Sequence, residues 1–334
     1  MATGVAVSVI MSVYNGVPYL YACVQSILQQ DFVDFEFLIL NDGSTDGSSE
    51  ILRDLAKADP RIRLIERENK GLVASLNELV EVAVAPLIAR MDCDDIAMPN
   101  RFSTQLAYLA AHPSVGILGS NTHDLDESGL IIGATDNYPL DPVKTRSMLK
   151  DGPPVCHPSV MMRTALVRKL GGYRSAFRHA EDYDLWLRAS LHTEIANLPE
   201  RLLLYRRSSQ QISQKHASEQ ARAAAIAWLD HVRCCEGKAS LFDGAAGIPD
   251  IEELDSLFGD AGAATFVRRK VVERLRYSNE MLHGPEFEMM MRQVRGGGGF
   301  EGAGRTILRL GRKGRVLRAV VLASAVTGLL LSNS

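Results

Sequence analysis

Leu87-Ile-Ala-Arg-Met-Asp-Cys-Asp-Asp-Ile-Ala-Met-Pro99 joins an apolar segment to a cluster of aspartates. An apolar run, Leu87 to Met91, meets three carboxylates within four positions, and Pro99 then opens a helical pattern. Asp92, Asp94 and Asp95 at the end of a strand repel one another if left bare. Side chains two apart in an extended segment share a face, so Asp92 and Asp94 converge on one point. A divalent cation with oxygen ligands, Mg²⁺ or Mn²⁺, relieves that repulsion and takes its other ligands from water and substrate phosphates. A solvated acidic turn capping the next helix is the competing reading of these residues alone.

Upstream, the pattern is regular. Val5 to Val13 is nearly continuous in apolar character, as in a parallel strand buried on both faces. Asn15-Gly16 turns the chain, Pro18 suits a first helical turn, and Leu20, Tyr21, Val24, Ile27 and Leu28 follow helical spacing. Phe35 to Leu40 is a second strand and Asn41-Asp-Gly-Ser-Thr-Asp-Gly47 its polar exit loop. Asp46 is placed to cap a helix over 48–57. Asp42 stands at a strand's carboxyl end, where open parallel sheets bind ligands, and can accept from a base N–H or a ribose hydroxyl; a plain turn residue is the alternative. Arg61 to Glu66 is a third strand. Lys70 precedes the next helix, where it meets a phosphate or is simply solvated. The order β-α-β-α-β-α-β predicts a doubly wound sheet with right-handed crossovers. Neither G-x-G-x-x-G after the first strand nor G-x-x-x-x-G-K-[ST] occurs, which removes the main support for Rossmann dinucleotide and P-loop readings.

Downstream, a helix runs from Pro99 to Ala111, a strand from Val115 to Leu118, and an irregular hairpin and loop over 121–139. Val155 to Met162 reads as a short strand carrying His157. In His179-Ala-Glu-Asp-Tyr-Asp-Leu-Trp-Leu-Arg188, Glu181 and Asp182 start a helix, where the dipole favours negative charge. They are helix caps or, in Asp182, a carboxylate general base on a rigid element; Asp184 reads as a surface residue. Leu202 to Arg207 is a further strand and Ser208 to Lys215 a polar loop. Beyond it the sequence turns helical over 218–235, 248–258 and 264–292, and Gly296-Gly-Gly-Gly299 is a flexible break.

With 334 residues and an apolar fraction of 46%, the chain fits one α/β domain with additions or two small domains. A net charge of −3 and 6% aromatics give no case for nucleic-acid binding. The five cysteines form no C-x-x-C pair and read as reduced thiols of a cytosolic protein. The N-terminus lacks a basic region and a small-residue cleavage site, so it is read as a strand and not a signal peptide. After Glu301 there are no acidic residues. Arg305, Arg309, Arg312, Lys313, Arg315 and Arg318 precede the apolar run Ala319 to Leu331, which is short for a spanning helix. Basic residues before an apolar helix suit contact with an anionic membrane face through 305–331, or docking on the domain or a partner.

Taken together, Ser8-Val-Ile-Met-Ser-Val-Tyr-Asn15, Asn41-Asp-Gly-Ser-Thr-Asp46, Met91-Asp-Cys-Asp-Asp95 with Pro99-Asn-Arg-Phe102, His157-Pro-Ser-Val160, Glu181-Asp-Tyr-Asp-Leu-Trp-Leu187 and Tyr205-Arg206 resemble the inverting glycosyltransferase family 2 over about residues 5–215. The resemblance implies a GT-A fold, a Rossmann-like mixed, mainly parallel α/β sheet flanked by helices, here with a helical C-terminal extension. The resemblance makes 1–216 the catalytic domain and leaves 217–295, a helical region, and 296–334, a Gly-rich linker and basic-apolar tail, outside it. It implies a nucleotide-sugar donor, foremost a UDP-sugar, held by Asp42, Asn15, Lys70 and Asp92. Asp94 with Asp92 binds the metal, and Asp182 is the catalytic base. His157, Glu181 and Arg206 fall near the acceptor or diphosphate. Many relatives carry a histidine shortly after the Tyr-Arg pair; Ser208 and Ser209 stand there, and His216 comes later. The expected function is metal-dependent transfer of a sugar to a glycan or lipid-linked hydroxyl in cell-surface polysaccharide synthesis, by a cytoplasmic protein peripheral at the inner face of the membrane. The alternatives are a nucleotidyltransferase acting on sugar phosphates, which usually shows a basic Gly-rich loop after its first strand, and a non-catalytic nucleotide- or sugar-binding module. A glycosidase needs two carboxylates and neither nucleotide nor metal.

Overall fold

The computed structural model describes residues 4–208, 216–275, 286–295 and 303–332. They fall into two units, Met1–Ser175 with Glu181–Gln211, and Ala176–Ala180 with Ile212–Ser334.

The first unit is built on a nine-stranded sheet in the order β3-β2-β1-β4-β8-β6-β9-β5, with β7 paired to β6. Its first half is parallel: β1 (Val7–Val13), β2 (Phe35–Asp42), β3 (Ile62–Arg67) and β4 (Leu87–Asp92). Its second half is mixed. β8 (Met161–Arg163) runs antiparallel to β4 and to β6 (Val115–Leu125), whereas β9 (Glu194–Arg206) is parallel to β6. β5 (Ile96–Ala97) and β7 (Ile131–Thr135) close the edges. This is the expected GT-A-like sheet.

Why both faces are covered is visible in β1. Val7, Val9, Met11 and Val13 join one core with Leu20, Val24 and Ile27 of α1 (Val17–Leu28), Leu52 and Leu55 of α2 (Ser48–Ala58), and Phe102 and Leu109 of α4 (Arg101–Ala111). The alternate residues Ile10, Leu38 and Ile88 are just as buried, and α3 (Leu72–Val82) packs on β1 and β2 with Leu76, Leu79 and Val80 buried. A strand buried on both faces needs an unbroken apolar run, which is what the sequence shows.

Several expectations are corrected. Tyr21 is 61% exposed, and Cys23 occupies the core position on α1 instead. His157 lies on a 3₁₀ turn, His157–Ser159, and the strand starts only at Met161. Pro158 has no N–H to give a ladder, which disfavours a strand at this point. The α2 N-cap is Gly47, while Asp46 accepts from the Ser48 N–H and hydroxyl and, across the loops, from the Val17 N–H that starts α1.

The second unit is helical: Ala217–Cys235, Leu254–Phe258, Ala263–Leu275, Glu286–Arg295, Ala303–Arg312 and Val316–Ser332. Ile226, Val267, Val271, Met290 and Leu310 are fully buried in it. Gly296 to Gly299, most of the loop Ser208 to Lys215, and the middle of the helix expected over 264–292 lie outside the described residues. Among the described residues no helix is long and apolar enough to cross a membrane.

Candidate active site

Register sets the site. Ser12 of β1 pairs with Asp92 of β4, and Val13 with Asn41 of β2, so the three strands release their chains at one edge. It is also where strand order reverses, with β2 on one side of β1 and β4 on the other. Such a switch point is where open α/β sheets leave a crevice.

Asp92 ends β4, and Cys93-Asp94 turns the chain before β5. Asp94 therefore reaches Asp92 through a turn and not through strand alternation. Carboxylate oxygens of Asp92, Asp94 and Asp95 all lie within 4.8 Å of one another. Burial, then Asp92, pushes the Asp94 carboxyl up to about 6. Burial and both neighbouring carboxylates push Asp95 well above its usual range. Asp95 Oδ1 accepts the Arg206 N–H at 2.8 Å, while its buried Oδ2 has no hydrogen bond among the described residues. Crowded carboxylates with an orphaned buried oxygen form an all-oxygen donor set that fits Mg²⁺ or Mn²⁺.

Arg90, two residues before Asp92 and on its face of the strand, forks onto both Asp92 oxygens from a buried position. Burial opposes its charge, but Asp92, Tyr173 and Asp95 together more than offset that. Arg206 is built into the same corner. Its Nε donates to the Asp94 carbonyl at 2.8 Å, its Nη1 to the Asp126 carbonyl at 2.7 Å, and its guanidinium lies 4.0 Å above the Tyr19 ring.

Asp42 is buried and spoken for. Oδ1 accepts from Arg67 Nη1 at 2.6 Å and the Lys70 N–H at 2.9 Å, and Oδ2 from the Gly71 N–H at 2.8 Å. The carboxylate thus anchors the loop that carries the exposed Lys70 side chain. Gly43 lets that loop approach: a Cβ there would meet Asn69 N at 2.7 Å, and its φ of 76° is left-handed. Asn15, also left-handed at φ 55°, accepts the Thr45 N–H on Oδ1 at 2.8 Å and tethers the first exit loop to the second.

After α5 (Pro142–Met148) and α6 (Thr164–Lys169), Glu181 and Asp182 open α7 (Glu181–Ala189). Asp182 Oδ1 accepts the Tyr183 N–H at 2.7 Å. Burial raises the Asp182 carboxyl, Arg90 pulls it back and Asp92 pushes it up again, so the base candidate and the metal candidates share one field. His157 is buried: Nε2 meets the Tyr173 hydroxyl at 2.9 Å, and the ring sits edge-on to Trp186 at 5.6 Å. Asp184 is not on the surface. It is fully buried, with Arg174 and Arg188 on its two oxygens. His216 belongs to the second unit, where it meets His179 and Glu219.

Arg90 escaped the sequence reading. A charged residue inside the apolar run Leu87 to Met91, two before an aspartate, was the available signal for Arg90.

The family model for glycosyl transferase family 2 matches residues 8–171. A Bacillus subtilis (strain 168) protein described as "Putative glycosyltransferase EpsE" is 39% identical over 192 residues, which is 56% of this chain and 68% of that one. The O-antigen biosynthesis glycosyltransferase WbnJ of Escherichia coli is 32% identical over 204 residues, covering 60% of this chain and 79% of that one. Among solved structures, TarS 1–349 of S. aureus superposes with a TM-score of 0.59 at 16% identity, over 97% of this chain and 92% of that one; the same fragment is known in complex with UDP-GlcNAc. The sheet and its flanking helices share the fold of TarS 1–349. The chain belongs to glycosyl transferase family 2 and is a glycosyltransferase.

Proposed function

We propose that the chain moves a sugar from a nucleotide-sugar donor, foremost a UDP-sugar, to a hydroxyl of a glycan or lipid-linked acceptor with inversion, in synthesis of a cell-surface polysaccharide. The observation that carries this is the meeting of Asp92, Asp94 and Asp95 at the switch point with Asp182 in the same electrostatic field. The likeness to WbnJ and to TarS, solved with UDP-GlcNAc, supports the donor and acceptor classes. The first unit serves as the catalytic domain.

Asp94 and Asp92, with Asp95 behind them, would hold Mg²⁺ or Mn²⁺, which when bound stabilises negative charge on the departing diphosphate. Asp42 and Asn15 shape the two exit loops against which the base and ribose lie, and Lys70 reaches from the loop that Asp42 anchors. Asp182 takes the proton of the acceptor hydroxyl. The freed oxygen forms a bond to C1 on the face opposite the leaving group, and the C1–O bond to the diphosphate breaks with its electron pair going to the diphosphate. One base and in-line attack invert the anomeric centre. Arg90 holds Asp92 in place, and the Tyr173–His157 pair supports the wall near Asp182. Glu181 and Arg206 act in this reading by position, one opening α7 and the other bracing the carboxylate turn.

The second unit supplies membrane contact in this reading. Leu308, Leu317 and Val320 are 65%, 78% and 56% exposed, interleaved with exposed Arg305, Arg312 and Arg315. Apolar side chains among cations on helices without acidic residues suit an anionic lipid surface.

Replacing Asp182 with Asn tests the mechanism. Transfer falls by two to four orders of magnitude, about what a general base contributes, while donor binding and the melting temperature stay near wild type. Normal turnover in that variant removes Asp182 as the base.

A further inference from the structure

The second unit holds a cluster that the transfer reaction does not use. His179 Nε2 lies 3.3 Å from Glu219 Oε2, and His216 Nδ1 lies 3.4 Å from the same oxygen. All three ligand atoms are within 4.8 Å of one another. The two imidazoles stack at 4.2 Å with their planes 14° apart, so one ring has to turn about its Cβ–Cγ bond for both lone pairs to meet one ion. The His179 side chain is only 8% exposed, yet its buried Nε2 makes no hydrogen bond of proper geometry among the described residues. A buried polar atom without a well-formed hydrogen bond is costly, and here it lies beside a carboxylate and a second imidazole.

The backbone is arranged to hold this geometry. His179 has φ 69°, the left-handed region that a non-glycine residue adopts at a cost. Its carbonyl accepts from Gln220 Nε2 at 2.8 Å, the residue next to Glu219. His216 caps the helix Ala217–Cys235 and Glu219 lies three residues on, so the two share one helix face.

The donor set differs from that of the catalytic corner. Asp92, Asp94 and Asp95 offer oxygen only, which suits Mg²⁺ and Mn²⁺. Two imidazoles and a carboxylate suit a borderline first-row ion. In tetrahedral Zn²⁺ sites with bonds near 2.0–2.1 Å, neighbouring ligand atoms stand roughly 3.3–3.4 Å apart, which is the separation of Glu219 from each histidine here. Three protein ligands leave a fourth position for water.

We propose that His179, His216 and Glu219 form a second metal site, for a Zn²⁺-class transition ion, with chemistry distinct from the all-oxygen site. The inference stands whether or not the proposed donor and base are right. Its ligands join two stretches far apart in sequence, one of them three residues before Asp182, and so bound metal stabilises the segment leading to α7.

The test uses the full chain with no added histidine tag, stripped with chelator and titrated with Zn²⁺ alone against a chromogenic competitor. The expected result is one tight equivalent, kept in Asp94→Asn and in Cys234→Ser/Cys235→Ser, and weakened at least tenfold in His179→Ala/His216→Ala and in Glu219→Gln. The cysteine control matters because Cys235 Sγ lies 3.5 Å from His231 Nε2. Co²⁺ in place of Zn²⁺ gives d–d absorption with no thiolate charge-transfer band. Circular dichroism establishes that each variant is folded, and Glu219→Gln, at an exposed position, keeps the test valid if the double histidine variant is not. Unchanged Zn²⁺ affinity in both variants, loss of the equivalent in Asp94→Asn or in the cysteine variant, or no tight equivalent in the wild type overturns the proposal.

Discussion

Asp184 shows how much rests on single residues near the site. Its carboxylate is fully buried two residues beyond the proposed base, and Arg174 and Arg188 donate to it at 3.1 and 2.9 Å. Arg188 also donates to the carbonyls of Leu170 and Gly172, so the three charges tie α7 to the segment before it. Asp184→Asn removes the buried charge on which the Arg174 and Arg188 guanidiniums converge. It is expected to cost about 3–5 kcal/mol, read by urea denaturation, and a loss under about 1 kcal/mol would contradict this account of the network. The sequence could not show this. In Glu181-Asp-Tyr-Asp184 the acidic residues look alike, and only the fold decides that Asp182 stays half-buried while Asp184 is enclosed. Asp92, Asp94 and Asp95 were legible because like charges packed so closely need a reason. Arg90 was hidden because one cation in an apolar strand does not alter the strand's pattern.

At the scale of elements, the strands of the parallel half were legible and the mixed half was not. A run such as Val7 to Val13 has to be buried on both faces, so its neighbours and helices follow. β8 has three residues, and its antiparallel partners β4 and β6 are set by tertiary packing that no local pattern encodes. Asp46 shows a similar limit. It was placed as the cap of α2, yet its Oδ2 accepts from the Val17 N–H of α1 at 3.0 Å, because adjacent exit loops of a parallel sheet meet. The terminal helices Ala303–Arg312 and Val316–Ser332 carry the element-scale prediction. Each cation near an anionic membrane adds about 1 kcal/mol of attraction. Reversing the exposed Arg305, Arg312 and Arg315 to Glu is therefore expected to remove at least about 3 kcal/mol, over a hundredfold in co-sedimentation with phosphatidylglycerol vesicles. Equal sedimentation of both proteins, or none by the wild type, would argue for a helix pair that docks elsewhere.

For the whole molecule, buried His157 links fold stability to pH. Burial, then Arg90, holds its imidazole well below the ordinary value. Between that lowered pKa and about 6.5 the unfolded chain binds the proton and the folded chain does not. Stability therefore rises with pH up to about 6.5 and is flat above, with a slope of at most about 1.4 kcal/mol per pH unit from this group. His157→Gln, whose amide can still meet the Tyr173 hydroxyl, is expected to lose that part of the slope between about pH 5 and 6.5 in urea titrations. An identical slope in both proteins would show that His157 is protonated in the fold. At this scale the sequence order β-α-β-α-β-α-β pointed to a doubly wound sheet with Asp42 at a strand's carboxyl end, whereas the switch point beside β1 follows from the strand order of the fold. What the sequence could not foretell is that Asp42 would be consumed by Arg67, Lys70 and Gly71, because those partners arrive from the next strand and its loop. The most direct test of the central claim, a carboxylate-bound metal serving a nucleotide sugar at the switch point, is isothermal titration of UDP-sugars into the full chain with Mn²⁺, Mg²⁺ or EDTA, beside Asp94→Ala. The account predicts binding of one UDP-sugar that needs the metal and is lost in Asp94→Ala. Equal binding with EDTA and in Asp94→Ala, or none to any nucleotide sugar, would contradict it.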